Sequence, residues 1–286
     1  MPSHSSKHLF CFGLGYVGTA LSESLLQNGW KVSGTVRTED KRAKLIAKGF
    51  EVFCEQELAA IESAIQSASH ILITVPPTRE GDASLLAYQS IVSALPDLRW
   101  LGYLSSTIVY GDKQGAWVDE ETPVAPNNDR GHRRVQAEQQ WMSSGLAWHI
   151  FRIAGIYGPT RNAMIKLQNG TSRAVAKKEH VSCRIHIDDI VAALTASMTS
   201  PDSGNIYNLA DDEPTANHEV IRYAAQLLGI GAPKVTPIED ANLSPMALSF
   251  YDGCRRVSND KVKRELSIRL KYPSYRQGLK AMAQDF

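Results

Sequence analysis

His8-Leu9-Phe10-Cys11-Phe12 followed by Gly13-Leu14-Gly15-Tyr16-Val17-Gly18 is the stretch that decides the fold. Five residues of strand-like apolar character stop at three glycines spaced G-x-G-x-x-G. Ala20, Leu21, Leu25 and Leu26 then recur at helical spacing, with Ser22, Glu23 and Gln27 between them. A strand, a tight turn and a helix in that order is the setting in which this spacing reads as dinucleotide binding. The three glycines have separate jobs: Gly13 makes the turn, Gly15 lets the backbone approach a pyrophosphate, and Gly18 lets the helix lie close on the strand. The free N–H groups and positive end of the helix then face the diphosphate. The expected cradle is Gly13, Leu14, Gly15, Tyr16, Val17 and Gly18. A glycine-rich turn without a ligand is the alternative, and the pattern downstream speaks against it.

Working outward, Asn28-Gly29 ends the first helix. The spacing of apolar residues predicts strands over 31–36, 50–53, 70–75, 100–105 and 148–154, with helices over 39–48, 58–68, 83–95 and 130–144 between them. Strands alternating with helices of this length predict an α/β fold, a Rossmann-type doubly wound parallel sheet. The remainder is less regular, with helices expected over 163–169, 188–198, 218–228, 260–266 and 275–283 and a short strand over 206–209. It reads as a smaller, partly interleaved C-terminal lobe. The expected division is 7–165 for the dinucleotide-binding domain and 166–286 for the substrate lobe.

Composition narrows the partners. The chain has 286 residues, 43% of them hydrophobic, and a net charge of +1. A near-neutral chain with no basic stretch argues against nucleic acid or an anionic membrane surface as its partner. No apolar run reaches the ~20 residues of a membrane span. Met1 to Lys7 is polar and carries no signal-peptide core. Cys11, Cys54, Cys183 and Cys254 are scattered without metal-like spacing, so no metal site is expected. Together these features predict a cytoplasmic protein with reduced thiols and a small-molecule substrate.

The second strand chooses the dinucleotide. An NAD site places Asp or Glu at that strand's end to accept from the ribose 2′-hydroxyl. Here the end reads Thr35-Val36-Arg37-Thr38, and the first acids, Glu39 and Asp40, come later. The guanidinium of Arg37 suits a 2′-phosphate, with Thr38 as a second donor. NADP is therefore expected over NAD. A solvated surface arginine is the other reading of Arg37.

A second series of motifs carries a family resemblance. Leu104-Ser105-Ser106-Thr107-Ile108-Val109-Tyr110-Gly111 is followed by Glu120-Glu121-Thr122-Pro123, Pro126, Ala137-Glu138, Phe151-Arg152-Ile153-Ala154-Gly155-Ile156-Tyr157-Gly158-Pro159, Arg184-Ile185-His186-Ile187-Asp188-Asp189 and Ile206-Tyr207-Asn208-Leu209. This series resembles the extended short-chain dehydrogenase/reductases, the NAD-dependent epimerase/dehydratase family, over nearly the whole chain. The resemblance implies cofactor contact at the end of the fourth strand, Val75 and Pro76. It also implies a substrate-facing serine at Ser106 and a homodimer of the kind many extended members form.

The chain departs from the family at three places. Phe12 stands where the family's first turn has glycine. Val75-Pro76-Pro77 replaces a small-residue turn. The family's Y-x-x-x-K motif, aligned on Ala137-Glu138, falls on Arg130 and Arg134. In the family the tyrosine exchanges a proton with substrate while hydride moves, and the lysine orients the cofactor ribose. Arginine does not titrate near neutral pH, so Arg130 cannot act as that acid. Arg134 can keep the lysine's positional role towards the ribose, and its fork also suits a carboxylate or phosphate. The candidate catalytic residues are thus Ser106 and Arg134, with Tyr110, His132 and His186 as replacement acids. For each there is a plainer reading: a strand-end cap, a solvated helix face, core packing or a helix start.

Three functions follow. The chain is an NADP-dependent oxidoreductase or epimerase/dehydratase-like enzyme acting on a hydroxyl- or carbonyl-bearing small molecule, of which nucleotide sugars are the family's commonest. Alternatively, it is a non-catalytic NADP(H)-binding redox sensor or scaffold. The weakest reading is a degenerate fold with no cofactor.

Overall fold

The computed structural model describes residues 7–200 and 202–286. The polar residues before Lys7, read above for the lack of a secretory signal, lie outside the described residues. Five strands and five helices alternate as expected: β1 (His8–Phe12), α1 (Tyr16–Gln27), β2 (Lys31–Val36), α2 (Glu39–Ile46), β3 (Glu51–Cys54), α3 (Leu58–Gln66), β4 (His70–Ile73), α4 (Ala83–Ser93), β5 (Trp100–Ser106) and α5 (Asp129–Met142). With the strands Trp148–Ile153 and Asn205–Leu209 they build a seven-stranded sheet. Its order runs Asn205–Leu209, Trp148–Ile153, β5, β4, β1, β2, β3. β1 lies parallel to β2 and β4, β2 to β3, and β4 to β5, with Leu9 opposite both Val32 and His70. Every residue of β1 is buried, as a central parallel strand covered on both faces requires. The strand order reverses between β1 and β4, so the crevice at their carboxyl ends is the ligand position of a doubly wound sheet.

Most departures from the expected spans are one to three residues at element ends. Of the expected strand 70–75, the pairing stops at Ile73, and Thr74 and Val75 form the turn that meets Gly13. Three short pairings carry no period and escape the sequence: Arg184–His186 beside Gly155–Tyr157, Thr236–Pro237 beside Val175–Ala176, and Arg256–Val257 beside Trp117–Val118.

The chain forms two compact units, both discontinuous. The first runs to Ser105 and adds Arg133–Phe151 and Val191–Ile206; the second is Ser106–His132, Arg152–Ile190 and Tyr207–Phe286. A single cut at 165 and this partition assign 106–132, 152–165 and 191–206 differently. The physical reason is that β5, Trp148–Ile153 and Asn205–Leu209 each leave the first unit at their carboxyl ends. The first unit's core packs Phe10, Phe12, Ile71, Ile73 and Tyr103 of the sheet with Ile61 and Ile65 of α3 and Trp141 of α5. Phe12, the residue in place of a family glycine, belongs to this core, its ring edge-on to Phe10 at 4.8 Å. The second unit has its own core of Tyr157, Met164, Val220, Ala224, Tyr275, Leu279 and Met282. Among the described residues no helix is long and apolar enough to cross a membrane.

Candidate dinucleotide site

Gly13 follows the last residue of β1 with φ +86°, a backbone conformation that side chains other than glycine's seldom adopt. Two threonines hold it from neighbouring strands. The Gly13 N–H donates to Thr35 Oγ1 at 2.9 Å, and Thr74 Oγ1 donates to the Gly13 carbonyl and to Phe12 O, the latter at 3.2 Å. The Leu14 N–H donates to Thr35 O at 2.8 Å. A β-carbon on Gly13 would stand 2.8 Å from Val75 Cγ1, so the residues expected at the end of β4 do reach the turn through Val75, while Pro76 is exposed. Thr35 and Thr74 were missed as turn-holding residues. In sequence they are ordinary β-branched strand formers, and nothing but the strand order brings them to Gly13.

The other two glycines differ in kind. A β-carbon on Gly18 would stand 2.8 Å from both Cys11 Sγ and Gly13 O, so the close packing of α1 on β1 depends on its absence. A β-carbon on Gly15 would meet nothing closer than Gly13 O at 3.8 Å. The protein itself therefore has room for a side chain there. Gly15 also starts α1 without a side-chain cap, at the end of a helix where backbone N–H groups lack intrahelical partners. This donor set, open at Gly15 and carrying the positive helix end, fits a pyrophosphate.

At the end of β2, Arg37 and Thr38 are exposed, and neither side chain has a hydrogen bond or ion pair with the described residues. Thr38 precedes α2 but does not cap it through its side chain. Glu39, the first acid after the strand, is occupied: it accepts from Arg42 at 3.0 Å and from the Cys54 thiol at 3.4 Å. Lys41, the third residue of α2, was not foreseen. It is half-buried, and burial, reinforced by the Arg37 charge, lowers its pKa against the raising effect of Cys11. Arg37 therefore stands at the end of β2 and Lys41 at the start of α2, close enough for their charges to interact.

Arg134 is half-buried on α5 and anchored to β5. It donates to Leu104 O and, at 3.3 Å, to Tyr103 OH, and its guanidinium lies 5.9 Å over the Tyr103 ring. Burial raises the Tyr103 pKa. Next to it, the buried Glu138 accepts from Ser105 Oγ at 2.5 Å. The family's alanine-glutamate pair thus ties α5 to the end of β5.

The second unit holds the other candidates. Ser106 Oγ accepts from the Ile108 N–H at 3.3 Å and caps the short helical turn Thr107–Tyr110. Tyr110 is fully buried. Its hydroxyl donates to Asn208 Oδ1 at 2.7 Å and accepts from Arg152 at 3.1 Å, and burial pushes its pKa up to about 12. That is a packing role rather than a proton-donor role. Tyr110→Phe should lower stability by about 1–3 kcal/mol in chemical denaturation, because it leaves buried polar partners short of one hydroxyl. Any cofactor-linked turnover should be unchanged, and a selective loss of turnover in a stable variant would restore Tyr110 as the acid. His186 is buried, with its Nδ1 accepting from the Asp188 N–H at 3.1 Å; burial pushes its pKa down to about 4. It fixes the start of the helix Ile187–Ser197. Asp189 accepts from the Lys271 and Tyr272 N–H groups at 2.6 and 3.1 Å. His132 is exposed on α5, and Arg130 is exposed at the first turn of the same helix.

The comparisons with known proteins follow the same lines. The model of the NAD dependent epimerase/dehydratase family matches residues 13–210. Protein YeeZ of Escherichia coli (strain K12) is 30% identical over 280 residues, covering 93% of this chain and 97% of YeeZ. The 3-diazoavenalumate denitrifying reductase of a Streptomyces species is 29% identical over 158 residues, about half of each chain. The solved structure of a conserved protein of unknown function from Silicibacter pomeroyi DSS is 44% identical, with a TM-score of 0.93 over 98% of this chain and 99% of that one. From the glycine turn to the Asn205–Leu209 strand, this chain belongs to the NAD-dependent epimerase/dehydratase family.

Proposed function

We propose that the chain is an NADP-dependent oxidoreductase acting on a carbonyl- or hydroxyl-bearing small molecule. The observation that carries this reading is the end of β2, where Arg37 and the half-buried Lys41 stand together and Glu39 is turned to Arg42. A 2′-phosphate would satisfy both cations; a bare 2′-hydroxyl would leave them without a counter-charge. The backbone of 13–18, with Val75 and Pro76, would hold the pyrophosphate side of the cofactor, and Arg134 the nicotinamide ribose. When bound, that cofactor supplies or accepts a hydride. Ser106, whose Oγ accepts from Ile108, keeps its own proton to donate to a substrate oxygen. The relative from Streptomyces is a reductase by name, which supports the same class.

The test is nucleotide selectivity. Arg37→Ala and Lys41→Ala should each weaken NADPH about tenfold, the loss of roughly one charge-assisted contact, and leave NADH nearly unchanged. Equal losses for both nucleotides would remove the basis for NADP. Ser106→Ala should abolish most NADPH-linked turnover across a panel of aldehydes, ketones, alcohols and nucleotide sugars.

A redox sensor is the second reading, and one observation favours it. Of the three replacement acids, Tyr110 and His186 are both committed to buried structural bonds. Calorimetry separates the readings. A sensor binds NADPH and NADP with different affinities and shows no turnover on that panel, since equal affinity shifts no equilibrium.

A further inference from the structure

We propose that Arg130, held over the face of Phe250, is the anchor for an oxyanion on the substrate, so that the small molecule taken by this chain carries a carboxylate or a phosphate. The proposal rests on the oxidoreductase reading above and names the substrate class for it.

The guanidinium of Arg130 lies 5.7 Å over the Phe250 ring. It makes no hydrogen bond or ion pair with the described residues. Two other exposed arginines are neutralised, Arg222 by Glu219 and Arg276 by Glu213, whereas Arg130, like Arg37, keeps its charge unpaired among the described residues. An aromatic face within about 6 Å attracts a guanidinium and leaves its edge donors available to another partner. Such an edge matches the two oxygens of a carboxylate or phosphate.

Phe250 is 64% exposed, an unusual place for a phenyl ring. The three residues that follow it are nonetheless held through their carbonyls. Asn127 Nδ2 donates to Asp252 O at 2.7 Å, Lys177 Nζ to Tyr251 O at 2.6 Å, and His180 Nε2 to Gly253 O at 3.2 Å. The Asn127 bond also ties this segment to the turn that starts α5, keeping Arg130 and Phe250 in register. On its other side, that helix start meets the Ser106 turn: a β-carbon on Gly131 would stand 3.3 Å from Ile108 O, and the Ile108 N–H is the group that Ser106 accepts from. A free cation on a fixed platform thus belongs to the same corner of the second unit as the serine expected to face substrate. Arg130 occupies the catalytic-tyrosine position of the family but cannot pass a proton, and anchoring is the chemistry left to it.

The test titrates the full-length chain with citrate, inorganic phosphate and glycerol, following the ring resonances of Phe250 by NMR. Citrate or phosphate should shift them saturably and glycerol should not; the tighter of the two anions identifies the carboxylate or phosphate source. Arg130→Gln should weaken the anion by about tenfold or more, and Arg130→Lys by less. Arg133→Gln, on the same helix, should have no comparable effect. The proposal is overturned by absence of an anion response in the wild type, by an unchanged affinity in Arg130→Gln, or by an equal loss in Arg133→Gln. NADPH titrated in parallel keeps the two readings apart. Failure of NADPH to bind defeats the oxidoreductase reading, whereas NADPH binding without an anion response defeats only the oxyanion anchor.

Discussion

Gly15→Ala is expected to leave the chain folded and to weaken its dinucleotide by about a hundredfold or more, roughly 3 kcal/mol, whereas Gly18→Ala damages both fold and binding. The contrast follows from what each new methyl group meets. At Gly15 the nearest atoms are Gly13 O at 3.8 Å and Thr74 Oγ1 at 3.9 Å, ordinary contact distances. The φ there is −74°, accessible to alanine. Loss of the helix-start glycine costs at most about 1 kcal/mol. The methyl instead fills the space in which a pyrophosphate would approach the backbone. At Gly18 it would press on Cys11 Sγ and Gly13 O, both at 2.8 Å, and force α1 away from β1. Overpacking of that kind costs about 1–3 kcal/mol and moves the N–H groups of the turn. Thermal melts and NADPH titration of the two variants check the pair. If Gly15→Ala binds as the wild type does, the turn is not a pyrophosphate cradle.

The largest pH effect is expected at His70. It begins β4, buried, with its ring edge-on to Trp30 at 4.6 Å and tilted against Trp100 at 6.4 Å. Nδ1 lies 2.9 Å from Ser69 Oγ. Burial, with the Arg99 charge adding to it, pushes its pKa from 6.5 down to about 4. Between those values the unfolded chain binds more protons than the folded one. The contribution of neutral His70 is therefore complete above pH 6.5 and is lost as pH falls towards 4. The shift corresponds to about 3 kcal/mol. His8 and His149, also buried in the first unit and lowered for the same reason, titrate in wild type and variant alike. The measurement is consequently a difference: the stability gap between wild type and His70→Gln in urea should shrink by about 3 kcal/mol from pH 7 to pH 4. A gap that stays constant over that range would mean His70 titrates as it does in water.

The sheet and the glycine turn were legible because their signals are local. Buried parallel strands read as unbroken apolar runs, helices between them as a period near 3.6, and the turn as glycines at fixed offsets. The reading of Arg130 and Arg134 at the family's tyrosine and lysine positions is an expectation that rests on the Ala137-Glu138 pair alone. The sequence by itself thus determined the α/β class and the place of the glycine turn between β1 and α1. Tertiary structure decided the rest, through groups far apart in the chain. Thr35 and Thr74 hold Gly13 from 22 and 61 residues away. Lys41 joins Arg37 only because α2 turns it back towards β1, and Glu39 is withdrawn by Arg42 and Cys54. Tyr110 is removed from the list of acids by Arg152 and Asn208, and Arg130 gains its partner from Phe250. Spacing along a chain encodes which element forms, but a side chain's role depends on which distant group reaches it, and only the packed fold decides that.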